Sequence, residues 1–257
     1  MEYVLVPLVA LVASTLTLFS GFGLGTLLMP AFALFFPVDV AVALTAVVHG
    51  LNNVFKFGLL GKHADRGAVL RFGLPAMVAA VAGAWLLVRL ADLPPLTTYH
   101  LGSRLLEVSP VKVVVAAIMA SFAILEVLPG FERLEFHERY LPLGGLVSGF
   151  FGGLSGHQGA LRSAFLVRAG LTKEAFVATG VVIAVLVDLS RLSVYAAQFA
   201  VAGLKENRLL LVVATAAAFA GAFVGKRLLG KVTLRSVQLV VAAMLIVIAV
   251  LLALGLA

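Results

Sequence analysis

Apolar runs of about 20 residues recur from one end of the chain to the other, and they constrain its fold more than any other feature. A helix of this length matches the hydrocarbon core of a bilayer. Charged residues make up only 12% of the 257 residues, whereas a soluble domain carries about 25%. The sequence therefore predicts an all-α, multi-pass membrane protein with a single integral membrane domain over residues 1–257. Eight apolar blocks are clear, at residues 4–20, 24–36, 40–60, 69–91, 111–129, 175–200, 207–228 and 236–256.

The charge and the motifs argue against several other classes of protein. The net charge of +7 is typical of basic cytoplasmic loops in membrane proteins, so we expect no nucleic-acid partner. The chain has no cysteine, and its histidines lack the spacing of a metal motif, so we expect no metal site and no cofactor. Neither a Walker A sequence nor a supported catalytic arrangement is present. We therefore do not expect an enzyme.

The chain also repeats itself. AAVAGAWLLVRL at residues 79–90 matches AAFAGAFVGKRL at 217–228 in seven of twelve positions, and residues 113–125 match 239–251 in six of thirteen. SGFGLG at 20–25 resembles SGFFGG at 148–153, in the same order along the chain. We interpret these matches as two homologous repeats. The first covers residues 1–130, a charged linker covers 131–140, and the second repeat covers 141–257.

Loop charge predicts that the two repeats have opposite orientations in the membrane. The loop after the third apolar block carries Lys62, Arg66 and Arg71, whereas its counterpart at 205–208 is barely positive. The next loop reverses this pattern, being strongly basic at 226–235 in the second repeat. Because Lys and Arg mark cytoplasmic loops, the pattern favours inverted-topology repeats, a common design of secondary transporters. It places both termini on the extracytoplasmic side of the cell inner membrane.

Each repeat opens with a glycine-rich break followed by three plain transmembrane helices. Inversion needs an odd number of crossings per repeat, so the broken region must add an even number. We expect a Gly-broken, re-entrant hairpin, residues 4–20 with 24–36 in one repeat and 141–153 with 158–170 in the other. Arms of about 12 residues reach about 18 Å, short of a core about 30 Å thick. The turns should therefore meet near the bilayer centre.

These breaks favour an anion site. The start of a helix offers free N–H groups and partial positive charge, glycine lets a ligand approach the backbone, and charges inside a membrane are costly and usually functional. Arg162, Arg191 and Lys56 would compensate the anion's charge, and polar side chains would donate hydrogen bonds. The predicted substrate-binding residues are Ser20, Gly21, Gly23, Gly25, Asn52, Asn53, Lys56, Ser155, Gly156, His157, Gln158, Gly159, Arg162, Asp188 and Arg191.

Structural interpretations stay open beside this one. The small-xxx-small spacing of the glycines also fits close helix packing, and the asparagines could bridge helices. Lys56 could extend to the headgroups, while Asp188 and Arg191 could form an ion pair between packed helices. His49 and His157 could be hydrogen-bonded interior residues or proton carriers.

Two segments, SGFGLGTLLMPAF at 20–32 and SGFFGGLSGHQGALRSAF at 148–165, resemble the sulfite exporter TauE/SafE family of the toluenesulfonate uptake permease superfamily. The resemblance covers essentially the whole chain. It implies secondary transport of small sulfur-containing anions, such as sulfite or organosulfonates, across the bacterial inner membrane. We expect alternating access by a rocking of the two halves around the predicted site.

The sequence thus predicts a secondary transporter of a small sulfonate- or sulfite-type anion. An anion channel and a membrane assembly subunit without transport of its own remain alternatives, and a metal-ion permease is disfavoured because carboxylates within the apolar blocks are scarce. The expected partners are the anionic substrate and the bilayer. A coupling proton or ion and a second copy of the chain stay open.

Overall fold

The computed structural model describes residues 1–17, 23–128, 135–198, 206–228 and 234–257, and these residues are mostly helical. Among these described residues, four helices are long and apolar enough to cross a membrane, at Val38–His63, Arg66–Ala91, Lys173–Ala196 and Arg208–Gly225. The predicted all-α membrane class is therefore confirmed. The helices are α1 (Glu2–Thr17), α2 (Leu24–Ala33), α3 (Val38–Leu60), α4 (Arg66–Ala91), α5 (Pro110–Val127), α6 (Leu141–Ser155), α7 (Gly159–Leu166), α8 (Lys173–Gln198), α9 (Arg208–Leu228) and α10 (Leu234–Ala253).

Proline and glycine explain several helix boundaries. α5 and α6 each carry proline in their first turn, at Pro110 and Pro142, where the missing N–H is not needed. A π-helical turn at Val69–Gly73 lies inside α4, just before Pro75. Proline has no N–H to donate to the carbonyl four residues earlier, so the regular hydrogen-bond pattern is interrupted there. α6 ends at Ser155, and the next residue, Gly156, has a φ of +82°, which favours glycine.

A two-stranded hairpin between α4 and α5 departs from the all-helical prediction. Strand β1 (Thr97–Leu101) pairs antiparallel with β2 (Arg104–Val108). Its composition is typical of strands, with β-branched and aromatic residues in TTYHL, and Gly102 takes a φ of +64° at the turn. The Tyr99 hydroxyl donates to the Leu254 carbonyl oxygen at 2.5 Å. The hairpin therefore lies at the same end of the protein as the C-terminus.

The helices of the two repeats have matching packing partners. α1 packs on α9 as α6 packs on α4, α3 on α9 as α8 on α4, and α2 on α3 as α7 on α8. Two further pairs, α3 with α8 and α5 with α10, join equivalent helices. The hairpin arms are thus α1 with α2 and α6 with α7.

This pairing corrects one sequence match. Residues SGFFGG at 148–153 lie inside α6, which continues to Ser155, so they are not the turn of the second hairpin. The hairpin boundary predicted at residue 153 is wrong for the same reason. Residues 156–158 form the break instead, and the arm that follows ends at Leu166.

The glycines of α6 serve helix packing. Gly145, Gly149 and Gly153 lie on the backbone of α4, where an added Cβ would come within 2.0–2.2 Å of a carbonyl oxygen. Small residues at this spacing let two membrane helices approach closely. The nearest carbonyl groups ascend along α4 from Phe72 to Ala80. α6 and α4 therefore run in the same direction.

The hairpin of the first repeat makes the same kind of contact with a helix of the second repeat. Gly221 and Gly225 of α9 lie on the backbone of α1, where an added Cβ would meet the carbonyl oxygens of Leu11 and Thr15 at 2.2 and 2.6 Å. The order again ascends along both helices, so α1 and α9 are also parallel. Each hairpin is therefore closely packed on a helix of the other repeat.

Candidate functional site

The two helix breaks contact each other inside the protein. A Cβ added to Gly25 would lie 3.4 Å from the Gly156 carbonyl oxygen, which brings the start of α2 against the end of α6. All ten residues of α2 are buried, as backbone groups released by a break in a membrane protein require. Within the described part of the chain, no side chain caps the first turn of α2 or of α7, which begins at Gly159. Ser20 and Gly21 lie outside the described residues, and Gly23 directly precedes α2.

Asp188 of α8 is the centre of a buried hydrogen-bonded cluster between α3 and α8. Its Oδ2 lies 2.7 Å from His49 Nδ1 and accepts from Asn53 Nδ2 at 3.2 Å. Its Oδ1 accepts from Arg191 Nε at 3.0 Å and from Arg191 Nη2 at 2.7 Å. This carboxylate therefore joins two of the other predicted site residues, Asn53 and Arg191, to His49, and its charge is matched by Arg191.

Arg191 is held by the protein on both sides. Its Nη1 donates to the Gly152 carbonyl oxygen at 3.2 Å, and the Tyr195 hydroxyl one turn later donates to the Gly153 carbonyl oxygen. These carbonyls belong to the last turn of α6, where a positive charge is favourable. The ion pair with Asp188 lies within α8, three residues apart, rather than between two helices.

Replacing Asp188 with asparagine is expected to destabilise the fold strongly. Arg191 is fully buried and would lose the one carboxylate that it contacts among the described residues, and removing one partner of a buried ion pair costs about 3–5 kcal/mol. Thermal unfolding of purified protein in detergent measures the loss. Asp92→Asn is the control, because Asp92 is exposed and such changes stay within about 0.5 kcal/mol. Equal unfolding midpoints for Asp188→Asn and the wild type would contradict this assignment.

Lys56 and Arg162 are cations without a carboxylate partner among the described residues. Lys56 of α3 has only 7% of its surface exposed and makes no hydrogen bond or ion pair there, so it does not extend to the headgroups. Arg162 of α7 is half-buried and donates only to Gln158 Oε1, at 3.3 Å. The two charges are close enough to repel each other. This excess of positive charge is unstable unless an anion offsets it.

The unpaired cations lie to one side of the Asp188 cluster. α3 is antiparallel to α8, since His49 contacts Asp188 whereas Asp65, beyond the end of α3, donates its N–H to Thr179 Oγ1 at 2.8 Å. Lys56 lies two turns beyond His49, about 11 Å along the axis. A Cβ on Gly180 of α8 would lie 3.5 Å from Arg162 Nε, which puts Arg162 at that same level.

Two of the predicted site residues, Gln158 and Asn52, carry buried polar atoms with no hydrogen-bond partner in the described structure. The backbone carbonyl oxygen of Gln158 accepts from Ser148 Oγ at 3.0 Å, but the side-chain Nε2 of Gln158 is unsatisfied. Asn52 donates to Ser14 Oγ at 3.4 Å, while its Oδ1 is unsatisfied. A buried polar group without a partner is costly. A polar ligand could satisfy these atoms.

His157 lies on the far side of the break. Its Nδ1 is 3.0 Å from the Ser155 carbonyl oxygen and 3.2 Å from Ser155 Oγ, and its ring stacks on Phe122 of α5 with a centroid distance of 5.7 Å. Its Nε2 has no partner in the part of the chain described. Ser155 itself donates back to the Phe151 carbonyl oxygen at 3.1 Å. His157 is thus held by Ser155 on one side and by the Phe122 ring on the other.

The structure brings six of the fifteen predicted substrate-binding residues into one buried region, together with His49. His49, Asn53, Asp188 and Arg191 form one cluster, and Gln158 with Arg162 lies next to it, together with Lys56. Asn52 points instead to Ser14 of α1, and His157 with Ser155 faces α5. Sequence reasoning missed Ser14, Ser148 and Tyr195; only Tyr195, one helical turn after Arg191, carried a signal in its spacing.

Comparison with known proteins gives one result. A family model described as "Sulfite exporter TauE/SafE" matches residues 6–252, which is nearly the whole chain. No curated protein and no solved structure matches the chain.

Proposed function

The chain belongs to the TauE/SafE sulfite exporter family of membrane transporters, and from that premise we propose that it transports a small sulfur-containing anion of the sulfonate or sulfite type. The anion would bind in the buried region between the two helix breaks, beside Lys56 and Arg162. Asn53 and Gln158 would supply neutral hydrogen-bond donors.

The unneutralised charge of the region is the observation that carries this proposal. Lys56, Arg162 and Arg191 contribute three positive charges and Asp188 one negative charge, which leaves two positive charges when His49 is neutral. An arginine fork matches the oxygens of a sulfonate or sulfite in a bidentate arrangement. An oxyanion bound between Arg162 and Lys56 would offset their mutual repulsion. The uncapped first turns of α2 and α7 add N–H donors of the right polarity.

Helix directions support the inverted orientation of the two repeats. α1 is parallel to α9 and α6 is parallel to α4. The chain reverses direction three times between α1 and α4, because one hairpin arm (α2) and one plain helix (α3) lie between them, so α1 runs opposite to α4. If α1 and its equivalent α6 had the same direction, α6 would therefore run opposite to α4. Inversion is the arrangement in which a single pocket forms between paired broken hairpins.

Basic residues support a cytoplasmic assignment for one end of the bundle. Arg168 and Lys173 lie at the start of α8, and the Asp65–Thr179 hydrogen bond brings the loop with Lys62 and Arg66 to the same end. A concentration of Lys and Arg marks the cytoplasmic face of an inner-membrane protein. The C-terminus, which contacts the β-hairpin at the opposite end, would then be extracytoplasmic, and Arg162 would face the cytoplasmic entrance.

Uptake into liposomes containing the purified chain tests the proposal. We expect saturable flux of ethanesulfonate, sulfite or sulfoacetate and weaker flux of acetate, because the site favours a three-oxygen anionic head. Flux that rises linearly with concentration would indicate a channel instead. Absence of flux from the purified chain for all these anions would favour the assembly-subunit alternative.

Lys56→Met should lower the affinity for the transported anion. The change removes the charge but keeps much of the side-chain volume, and a hydrogen bond to a charged group contributes about 1.5–3 kcal/mol, so we expect a loss of about 10- to 100-fold. Competition binding against labelled substrate measures it. Lys62→Met, an exposed position in the following turn, is the matched control. Equal affinity in Lys56→Met and the wild type would place the anion elsewhere.

A further inference from the structure

We propose that His49 and Asp188 form the binding site of a proton that moves together with the anion. This inference rests on the proposed anion transport and adds a second, positively charged substrate to it. The anion and the proton would occupy neighbouring parts of one buried region, the anion beside Lys56 and Arg162 and the proton on the imidazole.

The geometry assigns a role to each nitrogen of the His49 ring. A carboxylate can only accept hydrogen bonds, and Nδ1 lies 2.7 Å from Asp188 Oδ2, so Nδ1 carries the hydrogen of the neutral ring. Nε2 is then the acceptor and the position at which a proton can be added. It faces the start of α2, where a Cβ on Gly23 would lie 3.7 Å away. Its nearest neighbour on α3 is the Asn53 amide nitrogen, at 3.3 Å.

Asn53 is suited to both states of the ring. Its Nδ2 donates to Asp188 Oδ2 at 3.2 Å and lies within hydrogen-bond distance of the ring nitrogens. After a half-turn about its terminal bond, the amide would present its oxygen to Nε2–H of the charged ring and would give up its hydrogen bond to Asp188 Oδ2. Protonation of His49 thus requires a side-chain rotation and no backbone movement.

The charged groups around His49 explain why anion and proton would bind together. α8 provides Asp188 and Arg191, α7 provides Arg162, and α3 itself carries Lys56; the facing residues of α2, Gly23 and Gly25, carry no charge. With the anion absent, a third uncompensated positive charge would be repelled by Lys56 and Arg162. With the anion present, that repulsion is offset. Anion binding and proton binding therefore favour each other, and the coupling is reciprocal.

The proton step involves a single bond. Nε2 takes a proton from water that reaches the open pocket, and Nδ1–H remains donated to Asp188. The imidazolium charge is balanced by this carboxylate and by the bound anion. When the pocket opens to the other side, the anion leaves and Nε2–H returns its proton to water. One proton then crosses with each anion, in the same direction.

His157 is a weaker candidate for this role. Its Nδ1 faces the carbonyl and hydroxyl oxygens of Ser155, and its ring lies against Phe122. None of its described contacts is a carboxylate, so nothing there balances a charged ring.

Ethanesulfonate is the probe for the test, because its sulfonate group stays ionised across the pH range used. Purified wild-type protein in weakly buffered detergent is mixed with ethanesulfonate at several values between about pH 5 and pH 8, the range in which histidine titrates, and a pH indicator records protons taken up. We expect uptake approaching one proton per bound ethanesulfonate. Affinity should weaken by up to about tenfold per pH unit at the alkaline end.

His49→Gln separates the proton site from the anion site. Glutamine can still donate to Asp188 but cannot titrate, so we expect ethanesulfonate binding without proton uptake and with an affinity that no longer depends on pH. His63→Gln is the control, because His63 is exposed beyond the end of α3, and it should retain the wild-type proton uptake. The wild-type measurement stands on its own if His49→Gln does not fold.

The outcomes distinguish this inference from the proposed function. Saturable ethanesulfonate binding that is lost in Lys56→Met but brings no proton uptake in the wild type would overturn the proton site and leave anion transport intact. Undiminished proton uptake in His49→Gln would likewise overturn it. Absence of any ethanesulfonate, sulfite or sulfoacetate binding to the wild type would overturn both.

Discussion

Arg162→Gln is expected to abolish the stabilisation of the protein by its anion while leaving the fold intact. A ligand present at about 100 times its Kd stabilises a protein by about 2.7 kcal/mol, and a 100-fold loss of affinity reduces this to about 0.4 kcal/mol. Such a loss is expected because, among the residues that the structure describes, this guanidinium is the one bidentate donor of the region that is not already bound to a carboxylate. The measurement is a thermal-shift panel of sulfite, sulfate, thiosulfate, taurine, sulfoacetate, ethanesulfonate and acetate.

The ligand-free protein gives a second readout of the same substitution. Removing one of two repelling charges should leave the unfolding midpoint of Arg162→Gln unchanged or higher, whereas a structural arginine would lower it. Arg168→Gln is the matched control, since Arg168 is exposed and pairs with Glu135 at 2.5 Å, and it should keep the full ligand-induced shift. A full shift in Arg162→Gln would show that the anion binds elsewhere.

Gly153→Val is expected to prevent the close approach of α6 and α4. An added Cβ would lie 2.0 Å from the Ala80 carbonyl oxygen, and because that atom belongs to backbone, the whole helix must move to make room. Overpacking a tight core costs about 1–3 kcal/mol and at times more, and here the adjacent Tyr195 contact with Gly153 would be disturbed as well. The unfolding midpoint and the monodisperse yield in detergent should both fall sharply.

Gly58→Val is the matched control for helix propensity. Gly58 lies inside α3 with nothing within 4 Å of an added Cβ, so the substitution there is expected to leave the midpoint unchanged or to raise it slightly. Equal midpoints for the two variants would show that the α6–α4 contact is looser than described.

Most of the helical architecture followed from the sequence because long apolar runs have few stable arrangements in a bilayer. Helix α4 was anticipated as block 69–91, and the break at residues 156–158 falls within the predicted glycine-rich segment. The exact position of the turn could not be predicted, because a glycine such as Gly149 or Gly153 gives the same sequence signal whether it forms a turn or a helix contact. Only the partner helix distinguishes these cases. The hairpin at residues 97–108 was missed because five-residue strands leave a weak periodic signal.

The candidate site was only partly predictable for a similar reason. Helical spacing brought His49 and Asn53 onto one face, and burial of charge drew attention to Lys56, Arg162 and Asp188. The sequence did not predict that Arg191 is already bound to Asp188 and Gly152 while Arg162 is not, because this difference depends on where α6 ends relative to α8. Residues Ser20 and Gly21 lie outside the described residues, and their role stays a prediction.

The glycine contacts between the repeats have a consequence for any motion that exposes the pocket to one side and then to the other. α6 is attached to α4 and α1 to α9 by surfaces in which backbone touches backbone, so these pairs cannot slide apart without opening a void. The rigid bodies of such a motion therefore cannot be the first and second halves of the chain. Each would instead combine a broken hairpin from one half with a long helix from the other, and the interlocked pairs would move as units.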